Sequence, residues 1–371
     1  MSYGGYPDLK GVKKILVVKL RHLGDVLLTG PVFTALQKGI PGARIDAFIW
    51  SESAPMLEGH PAVRQILGYD RSWKKLGLIR RLCKEFSLLR KIRREKYDLV
   101  INLTEGDRGA IAARISGAKI RVGSDPKGKG LKGKKGLYTH IVKNCPSLRH
   151  TVERNLDAVR RIGIFPEPDE RDLFIHIPDS TIRSMQERVG TEPYIVIHPT
   201  SRWRFKCWPV EKMRSLAQIL IERGERLVFT SGPDPIEVEM VQQIVEGLPV
   251  INLAGQIHLK ELAALIEKGK LLIGVDSVPL HIASALKAPC IGIFGPTSEI
   301  TWGPWRNPQA QIVTQSMSCR PCYQDGCGGS KRSDCLATLS VSAVLAAAQR
   351  YLTQPCLIHL GANLECGERR T

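Results

Sequence analysis

Two successive runs of alternating strands and helices constrain the fold of this chain more than any other feature. In the first half, apolar stretches rich in β-branched residues predict buried strands at 13–20, 43–50 and 98–103, with helices at 24–38 and 72–96. Strands that are apolar on both faces and joined by helices are typical of a parallel sheet. The first half therefore predicts one open α/β unit.

The same alternation restarts in the second half of the chain. The predicted strands lie at 194–199, 225–232, 249–253, 271–276 and 290–295, and the predicted helices at 210–223, 236–246, 259–268 and 277–287. A chain of 371 residues also exceeds one ordinary domain. We expect two Rossmann-like α/β domains with parallel sheets, facing each other across a cleft.

Pro and acidic residues at 162–173 suggest a linker between the two halves. The expected organisation is an N-terminal domain over 1–165, a linker over 166–190, a C-terminal domain over 191–336, a helix over 337–353 that packs back on the N-terminal domain, and a tail over 354–371.

Positive charge is concentrated in the first half. Residues 71–150 hold 22 Lys and Arg against 6 Asp and Glu, an excess that accounts for 16 of the net charge of +18. A local excess of this kind attracts anionic partners, so nucleic acid, an anionic membrane surface and a phosphorylated glycan are all candidates. Within it, residues 127–136 carry five Lys and four Gly, which predicts either a solvated loop or a flap that grips phosphate through Lys127, Lys129 and Lys132.

No window of the sequence approaches 18 uncharged apolar residues, and the N-terminus lacks an apolar core before a cleavage site. We therefore expect neither a transmembrane span nor a secretory signal. The ten cysteines are then expected in a reducing compartment. Four of them, at Cys319, Cys322, Cys327 and Cys335, could ligate a structural metal, stay reduced or form disulfides.

Ligands of open α/β sheets bind beyond the carboxyl ends of the strands, so these junctions are the candidate sites. The first junction, LRHLGDVLLTGP at 20–31, has a single Gly24 and thus no dinucleotide fingerprint. Asp25 could act as a general base in a cleft or cap the following helix. Arg21 and His22 could contact an acceptor or lie on the surface.

The second junction is HPTSRWRFKCWP at 198–209. Thr200, Ser201 and Lys206 bring two hydroxyls and one ammonium behind a strand, which predicts a pyrophosphate site. Lys206 could instead be an ordinary surface lysine.

The third junction is IGVDSVPLHIASAL at 273–286. Asp276 could hold sugar hydroxyls or cap the helix, while the backbone at Ser277 and Val278 could bind phosphate. His281, in the second helical turn, could contact the donor or be a buried structural imidazole.

These motifs together resemble the lipopolysaccharide heptosyltransferases. The resemblance rests on Gly24-Asp25, the 198–209 segment and GVDSVPLHIASA at 274–285, and it covers about residues 13–353. The segments GPTSEITWGPW at 295–305 and CRPCYQDGCGGSKRSDCL at 319–336 are most similar to the heptosyltransferase III branch, which adds a side-branch heptose.

The resemblance implies a GT-B fold and a metal-independent, inverting transfer of L-glycero-D-manno-heptose from ADP-heptose, with no cofactor. It assigns Asp25 as the catalytic base and Thr200, Ser201 and Lys206 to the donor pyrophosphate. The other donor contacts that it implies are Glu237 at the ribose, Ile257 at the adenine, Asp276 at the heptose, and Ser277, Val278 and His281 beside them.

The implied partner is the phosphorylated lipopolysaccharide inner core, approached from a cytoplasmic, peripheral position on the anionic inner membrane. Two related alternatives stay open, a heptosyltransferase of type I or II and a GT-B transferase for another nucleotide-sugar. A nucleic-acid-binding protein with a Cys-rich knuckle is the alternative of another class. Its stacking surface is sparse, because residues 71–150 hold only four Phe, Trp or Tyr residues.

Overall fold

The computed structural model describes residues 5–143, 145 and 147–352. It contains two six-stranded sheets in which all paired strands are parallel. The strands of the N-terminal sheet are β1 (Lys14–Lys19), β2 (Arg44–Trp50), β3 (Gln65–Tyr69), β4 (Leu99–Asn102), β5 (Ile120–Ser124) and β6 (His140–Val142). Those of the C-terminal sheet are β7 (Ile195–His198), β8 (Leu227–Phe229), β9 (Ile251–Asn252), β10 (Leu271–Val275), β11 (Cys290–Phe294) and β12 (Ala310–Thr314). The predicted pair of parallel α/β sheets is confirmed.

The spatial strand order is β3-β2-β1-β4-β5-β6 in one sheet and β12-β11-β10-β7-β8-β9 in the other. In each sheet the chain starts at a central strand, builds outward on one side and then crosses to the other. The reversal lies between β1 and β4 in the first sheet and between β7 and β10 in the second. A crevice opens at such a reversal, beyond the carboxyl ends of the two strands, which makes these two places the natural ligand sites.

Helices cover both sheets. In the N-terminal half they are α1 (Leu23–Leu27), α2 (Gly30–Gly39), α3 (Leu78–Glu95), α4 (Asp107–Ile115) and α5 (Thr151–Arg160). From there on they are α6 (Asp179–Val189), α7 (Val210–Glu222), α8 (Pro235–Val245), α9 (Leu259–Lys268), α10 (Val278–Leu286), α11 (Glu299–Trp302), α12 (Asp334–Ala337) and α13 (Val341–Leu352). Of the described helices, none is both long and apolar enough to span a bilayer.

Two helices predicted from the sequence are shorter than expected. The one predicted at 24–38 is divided into α1 and α2, because Pro31 occupies the first turn of α2 and favours a new helix start there. The one predicted at 72–96 begins only at Leu78. The preceding residues form a 3₁₀ turn, in which the Asp70 carboxylate accepts a hydrogen bond from the Ser72 amide at 2.8 Å.

The C-terminal helix lies on a different domain from the one expected. Instead of packing back on the N-terminal domain, α13 packs against α7, β11 and β12. Its buried Val344 and Ala348 join the same apolar cluster as Trp208 of the C-terminal domain. The helix thus covers apolar surface of its own sheet, and that burial decides its position. The predicted tail at 354–371 lies outside the described residues.

The segment predicted as a linker contains α6, which packs against α9 of the C-terminal half. Strands β3, β5, β6 and β12 were not predicted from the sequence. They are short and mostly half-buried, so their sequences lack a continuous apolar run.

Candidate active site between the two sheets

Asp25 lies directly beyond the central strand β1, in the first turn of the short helix α1. Its side chain is one-fifth exposed. The N-cap position of α1 is His22, and none of the described side chains caps the helix by a hydrogen bond. The alternative in which Asp25 caps its helix therefore does not hold, and the carboxylate is available to a ligand.

A buried lysine holds Asp25 in place. The Lys19 ammonium lies 3.9 Å from Asp25 Oδ1 and donates to the Leu103 carbonyl and to Asn155 Oδ1, each at 3.3 Å. Burial lowers the Lys19 pKa, while the nearby Asp25 carboxylate opposes that shift. Lys19 was read from the sequence only as part of a strand, since nothing in a strand pattern marks a buried cation.

Asp25 faces a cavity of about 150 Å³ between β1, β4 and α5. Its lining includes Lys19, Arg21, Arg149 and Arg154, and Trp302 of the C-terminal domain closes one side. Arg149 forms an ion pair with Asp157, and Arg21 lies 3.4 Å from Glu105. The cationic lining suits an anionic acceptor beside the carboxylate.

Two contacts between the domains involve residues that lie close to Asp25 in the sequence. On one side Arg202 donates to His22 Nδ1 at 3.1 Å. Burial and the adjacent Arg202 cation lower the His22 pKa, so the imidazole is neutral and can accept this bond. On the other side Gly24 lies against α10, where a Cβ at position 24 would be 2.8 Å from His281 Cδ2. A side chain at this position would require His281 or its surroundings to shift.

The donor side begins at β7. Thr200 is fully buried, and its hydroxyl donates to Glu237 Oε2 at 2.7 Å. The structure thus brings together Thr200, predicted from the 198–209 segment, and Glu237, which only the family resemblance implied. Ser201 is buried next to Thr200, and its hydroxyl accepts a bond from the Trp203 amide at 3.4 Å.

Lys206 and Asp276 form an ion pair at the reversal point of the second sheet. Lys206 Nζ donates to Asp276 Oδ2 at 2.7 Å, and the Thr297 hydroxyl donates to the same oxygen at 2.6 Å. The two charged side chains are only 18% and 6% exposed, so Lys206 is not a surface lysine. Thr297 was not identified from the sequence.

Helix α10 presents its N-terminus at the same place. Its N-cap residue is Ser277 rather than Asp276, and the Ser277 hydroxyl donates to the Val275 carbonyl. Among the described side chains, none caps the first amides of the helix, which begins at Val278. Uncapped amides and the helix dipole favour an anion there.

His281 is buried in α10, and burial lowers its pKa to about 4. Its Nδ1 has no hydrogen-bond partner within the described part of the chain. Ile257 is half-buried against the core. The donor roles of both residues stay predictions.

The Lys/Gly stretch at 127–136 is attached to α4. Lys134 is buried, and it pairs with Asp107 at 3.0 Å and also donates to the Glu105 carbonyl. Lys127, Lys129 and Lys132 are exposed. This arrangement holds the loop beside Glu105 at the rim of the Asp25 cavity and leaves three cations facing solvent.

The four clustered cysteines are thiols in the structure. Cys335 is buried, which raises its pKa, while Cys319 and Cys327 are exposed. Within residues 5–143, 145 and 147–352, no three His, Cys, Asp or Glu side chains are grouped so that they could hold a metal ion. The choice among a structural metal, reduced thiols and disulfides for this cluster stays a prediction.

Comparison with known proteins adds an independent line of observation. The model of glycosyltransferase family 9 (heptosyltransferase) matches residues 85–331. The chain is 33% identical over 300 residues to lipopolysaccharide heptosyltransferase 3 of Escherichia coli, covering 79% of this chain and 86% of that protein.

Two solved structures share the fold. A family 9 glycosyltransferase from Veillonella parvula superposes with a TM-score of 0.77 at 25% identity, covering 95% of this chain and 99% of that one. ADP-heptose lipopolysaccharide heptosyltransferase II of E. coli superposes with a TM-score of 0.74 at 20% identity, covering 91% and 98%. The expected GT-B architecture is confirmed.

Proposed function

The chain belongs to glycosyltransferase family 9, and from that premise we propose that it transfers a heptose from ADP-heptose to a heptose of the lipopolysaccharide inner core. Its likeness to heptosyltransferase 3 favours the side-branch heptose as the product. The donor is named in the related heptosyltransferase II, whose fold this chain shares.

The observation that carries the proposal is the position of Asp25 between two interdomain contacts. Close to Asp25 in the sequence, His22 contacts Arg202 and Gly24 contacts His281, both of the other domain. These contacts support an arrangement in which an acceptor sugar bound beside Asp25 meets a donor bound at the N-terminus of α10.

The proposed donor site accommodates a pyrophosphate linked to a sugar. We propose that Lys206 moves from Asp276 to the pyrophosphate when ADP-heptose binds, with the first amides of α10 completing the anion site. Asp276, freed from its lysine, then accepts hydrogen bonds from heptose hydroxyls. Thr200 and Glu237, linked by their hydrogen bond, lie on the adjacent β7 side, where a ribose hydroxyl could replace Thr200 as donor to Glu237.

The proposed reaction is a single displacement. Asp25 accepts the proton of an acceptor hydroxyl, whose oxygen forms a bond to the anomeric carbon of the heptose. The bond from that carbon to the pyrophosphate oxygen breaks, and ADP leaves with the electron pair. Lys206 and the α10 amides stabilise the charge that accumulates on the leaving group. Attack from the side opposite to ADP inverts the anomeric configuration.

The acceptor is proposed to be a phosphorylated core lipid. The Asp25 cavity is lined by arginines on α5 and near β1, and exposed lysines of the 127–136 loop lie at its rim. A phosphorylated acceptor would be attracted to this surface and oriented by it. We accordingly place the protein at the cytoplasmic face of the inner membrane.

The test is to incubate the protein with ADP-heptose and a panel of lipopolysaccharide cores truncated at successive sugars, and then to determine the product masses. The proposal predicts one added heptose on cores that already carry the inner heptoses. Addition to a core that lacks every heptose would indicate a type I enzyme. Transfer only from another nucleotide-sugar would refute the donor assignment.

A further inference from the structure

Helix α3 carries an apolar face that no other described part of the chain covers. Leu78, Ile79, Leu82 and Phe86 are 71%, 78%, 54% and 68% exposed. Their spacing of one, four and eight residues places them on one side of the helix. Together with Leu76 they are five of the sixteen large apolar side chains that are exposed in the described chain. Such a concentration marks an interaction surface.

Beyond this stripe, the exposed side of the helix is cationic. Arg80, Lys84 and Lys91 are exposed and recur at intervals that keep them on one side of the helix. An open hollow toward the end of the helix continues the same face, and it is lined by Lys14, Ser87, Arg90, Lys91, Arg94 and Glu95.

The two acids of the helix are both paired with cations or hydroxyls of neighbouring elements. Glu85 accepts hydrogen bonds from Tyr69 at 2.7 Å and from Arg108 at 3.0 Å, and Glu95 accepts from Lys14 at 3.3 Å. Both carboxylates are thus paired with neighbouring elements, and each is 23% exposed. The exposed side of α3 therefore has apolar groups and an excess of cations over acids.

The apolar half of α3 lies at the edge of the sheet that carries the candidate active site. As the crossover from β3 to β4, the helix runs antiparallel to the strands, so that its start lies at their carboxyl ends. Just before it, the Arg71 guanidinium stacks over Trp50 at 4.3 Å, and the Trp50 ring lies 5.1 Å from the His22 ring. A surface that contacts the exposed stripe would therefore lie near the Asp25 cavity.

We infer that α3 is an interfacial helix through which the protein binds the surface of an anionic lipid bilayer. Leu78, Ile79, Leu82 and Phe86 enter the boundary between headgroups and acyl chains, and the adjacent cations bind lipid phosphates. The inference deepens the proposed function, because it assigns the surface by which a transferase with a lipid-linked acceptor reaches it. A second copy of the chain is disfavoured as the partner that covers this stripe, because its own cationic face would repel the cationic face of α3.

The experiment measures binding of the full chain to sedimented vesicles, without donor or acceptor. We expect binding to vesicles of phosphatidylcholine with about one-third phosphatidylglycerol, weak binding to phosphatidylcholine alone, and loss of binding as salt is raised. Leu82→Ser/Phe86→Ser should reduce binding about tenfold or more. Phe165→Ser/Ile312→Ser, which changes two exposed apolar residues elsewhere, is the matched control and should bind as the unaltered protein does.

A second variant tests the electrostatic part. Arg80→Gln/Lys84→Gln/Lys91→Gln should lower binding to the anionic vesicles and weaken its salt dependence. Equal binding by the serine variant and its control would overturn the inference. So would a failure of the unaltered protein to bind vesicles, or a dimer in sedimentation that the serine variant abolishes.

The same variants separate this inference from the proposed function. Transfer from ADP-heptose to a soluble core oligosaccharide should be unchanged in Leu82→Ser/Phe86→Ser, while transfer to vesicle-embedded acceptor should fall with vesicle binding. If vesicle binding behaves as expected but no variant transfers heptose, the proposed function fails and the membrane surface stands.

Discussion

Replacement of Lys206 by Ala separates the donor-binding role of this lysine from its structural one. In the structure, Lys206 pairs with the buried Asp276 at 2.7 Å, and Thr297 supplies the other hydrogen bond to the same oxygen. The substitution removes the ammonium that is proposed to hold the pyrophosphate. A charge-assisted contact of this kind contributes about 1.5–3 kcal/mol, which corresponds to a roughly 10- to 150-fold weaker ADP affinity.

The same substitution leaves the Asp276 carboxylate buried with one donor. Breaking a fully buried ion pair costs about 3–5 kcal/mol, and the remaining Thr297 bond together with the partial exposure of Lys206 reduces the expected loss of unfolding free energy to about 1–3 kcal/mol. Lys206→Ala/Asp276→Asn, which removes the unpaired charge as well, should regain most of this stability. It should not regain ADP affinity.

The third variant is Asp276→Asn alone. It releases Lys206 from its ion pair while leaving the ammonium in place, so ADP affinity should be equal to or higher than that of the unaltered protein. Transfer should fall, because Asp276 is proposed to hold the heptose. Calorimetric titration with ADP and urea denaturation measure the two free energies, with Lys268→Ala as a surface control in the same domain. If the double variant bound ADP normally, Lys206 would have no part in donor binding.

Three further predictions concern the domain interface, the loop and the buried imidazoles. Gly24→Ala should lower the transfer rate with little change in ADP affinity, because its Cβ would collide with His281. Gly77→Ala is the control and should be neutral, because Gly77 has open space around it. Steady-state kinetics compare the two variants. Neutralising Lys127, Lys129 and Lys132 with Gln should raise KM for a phosphorylated core and leave KM for its dephosphorylated form unchanged; an equal effect on both would contradict the electrostatic account. Burial lowers the pKa of four imidazoles to about 4, namely His60, His150, His198 and His281. The unfolded chain therefore binds more protons than the folded protein between about pH 6.5 and 4. As the pH is lowered through that window, the free energy of unfolding should decrease by up to about 1.4 kcal/mol per pH unit for each imidazole. Denaturation at several pH values should show a shallower slope for His60→Gln, and an unchanged slope would contradict the role of burial.

The candidate site could be predicted from the sequence where it depends on strand ends. Asp25, Thr200 and Asp276 each follow an apolar run, and parallel strands bring their carboxyl ends to one edge of a sheet. The strand order then places these residues at the two reversal points. Local sequence is sufficient for this step, because the direction of every strand in a βαβ unit is fixed.

The contacts between the domains could not be predicted in that way. The pairing of His22 with Arg202 and the packing of Gly24 on His281 depend on how two separately folded sheets are oriented. Arg154 on α5 was also not predicted, because it reaches the Asp25 cavity of its own domain from a helix more than one hundred residues away in the chain. The predicted position of α13 was wrong, because the sequence shows an apolar stripe on this helix but not the core surface that the stripe covers.

The most direct test of the central claim compares Asp25→Asn with Glu105→Gln, which changes another acid of the same cavity. Single-turnover transfer and ADP affinity are measured on each protein. A general base in the cleft predicts that Asp25→Asn slows transfer by about 10²- to 10⁴-fold while the ADP dissociation constant stays within about threefold; Glu105→Gln should change neither strongly. Normal transfer by Asp25→Asn, or loss of transfer and ADP binding together, would contradict the claim that this carboxylate takes the proton from the acceptor.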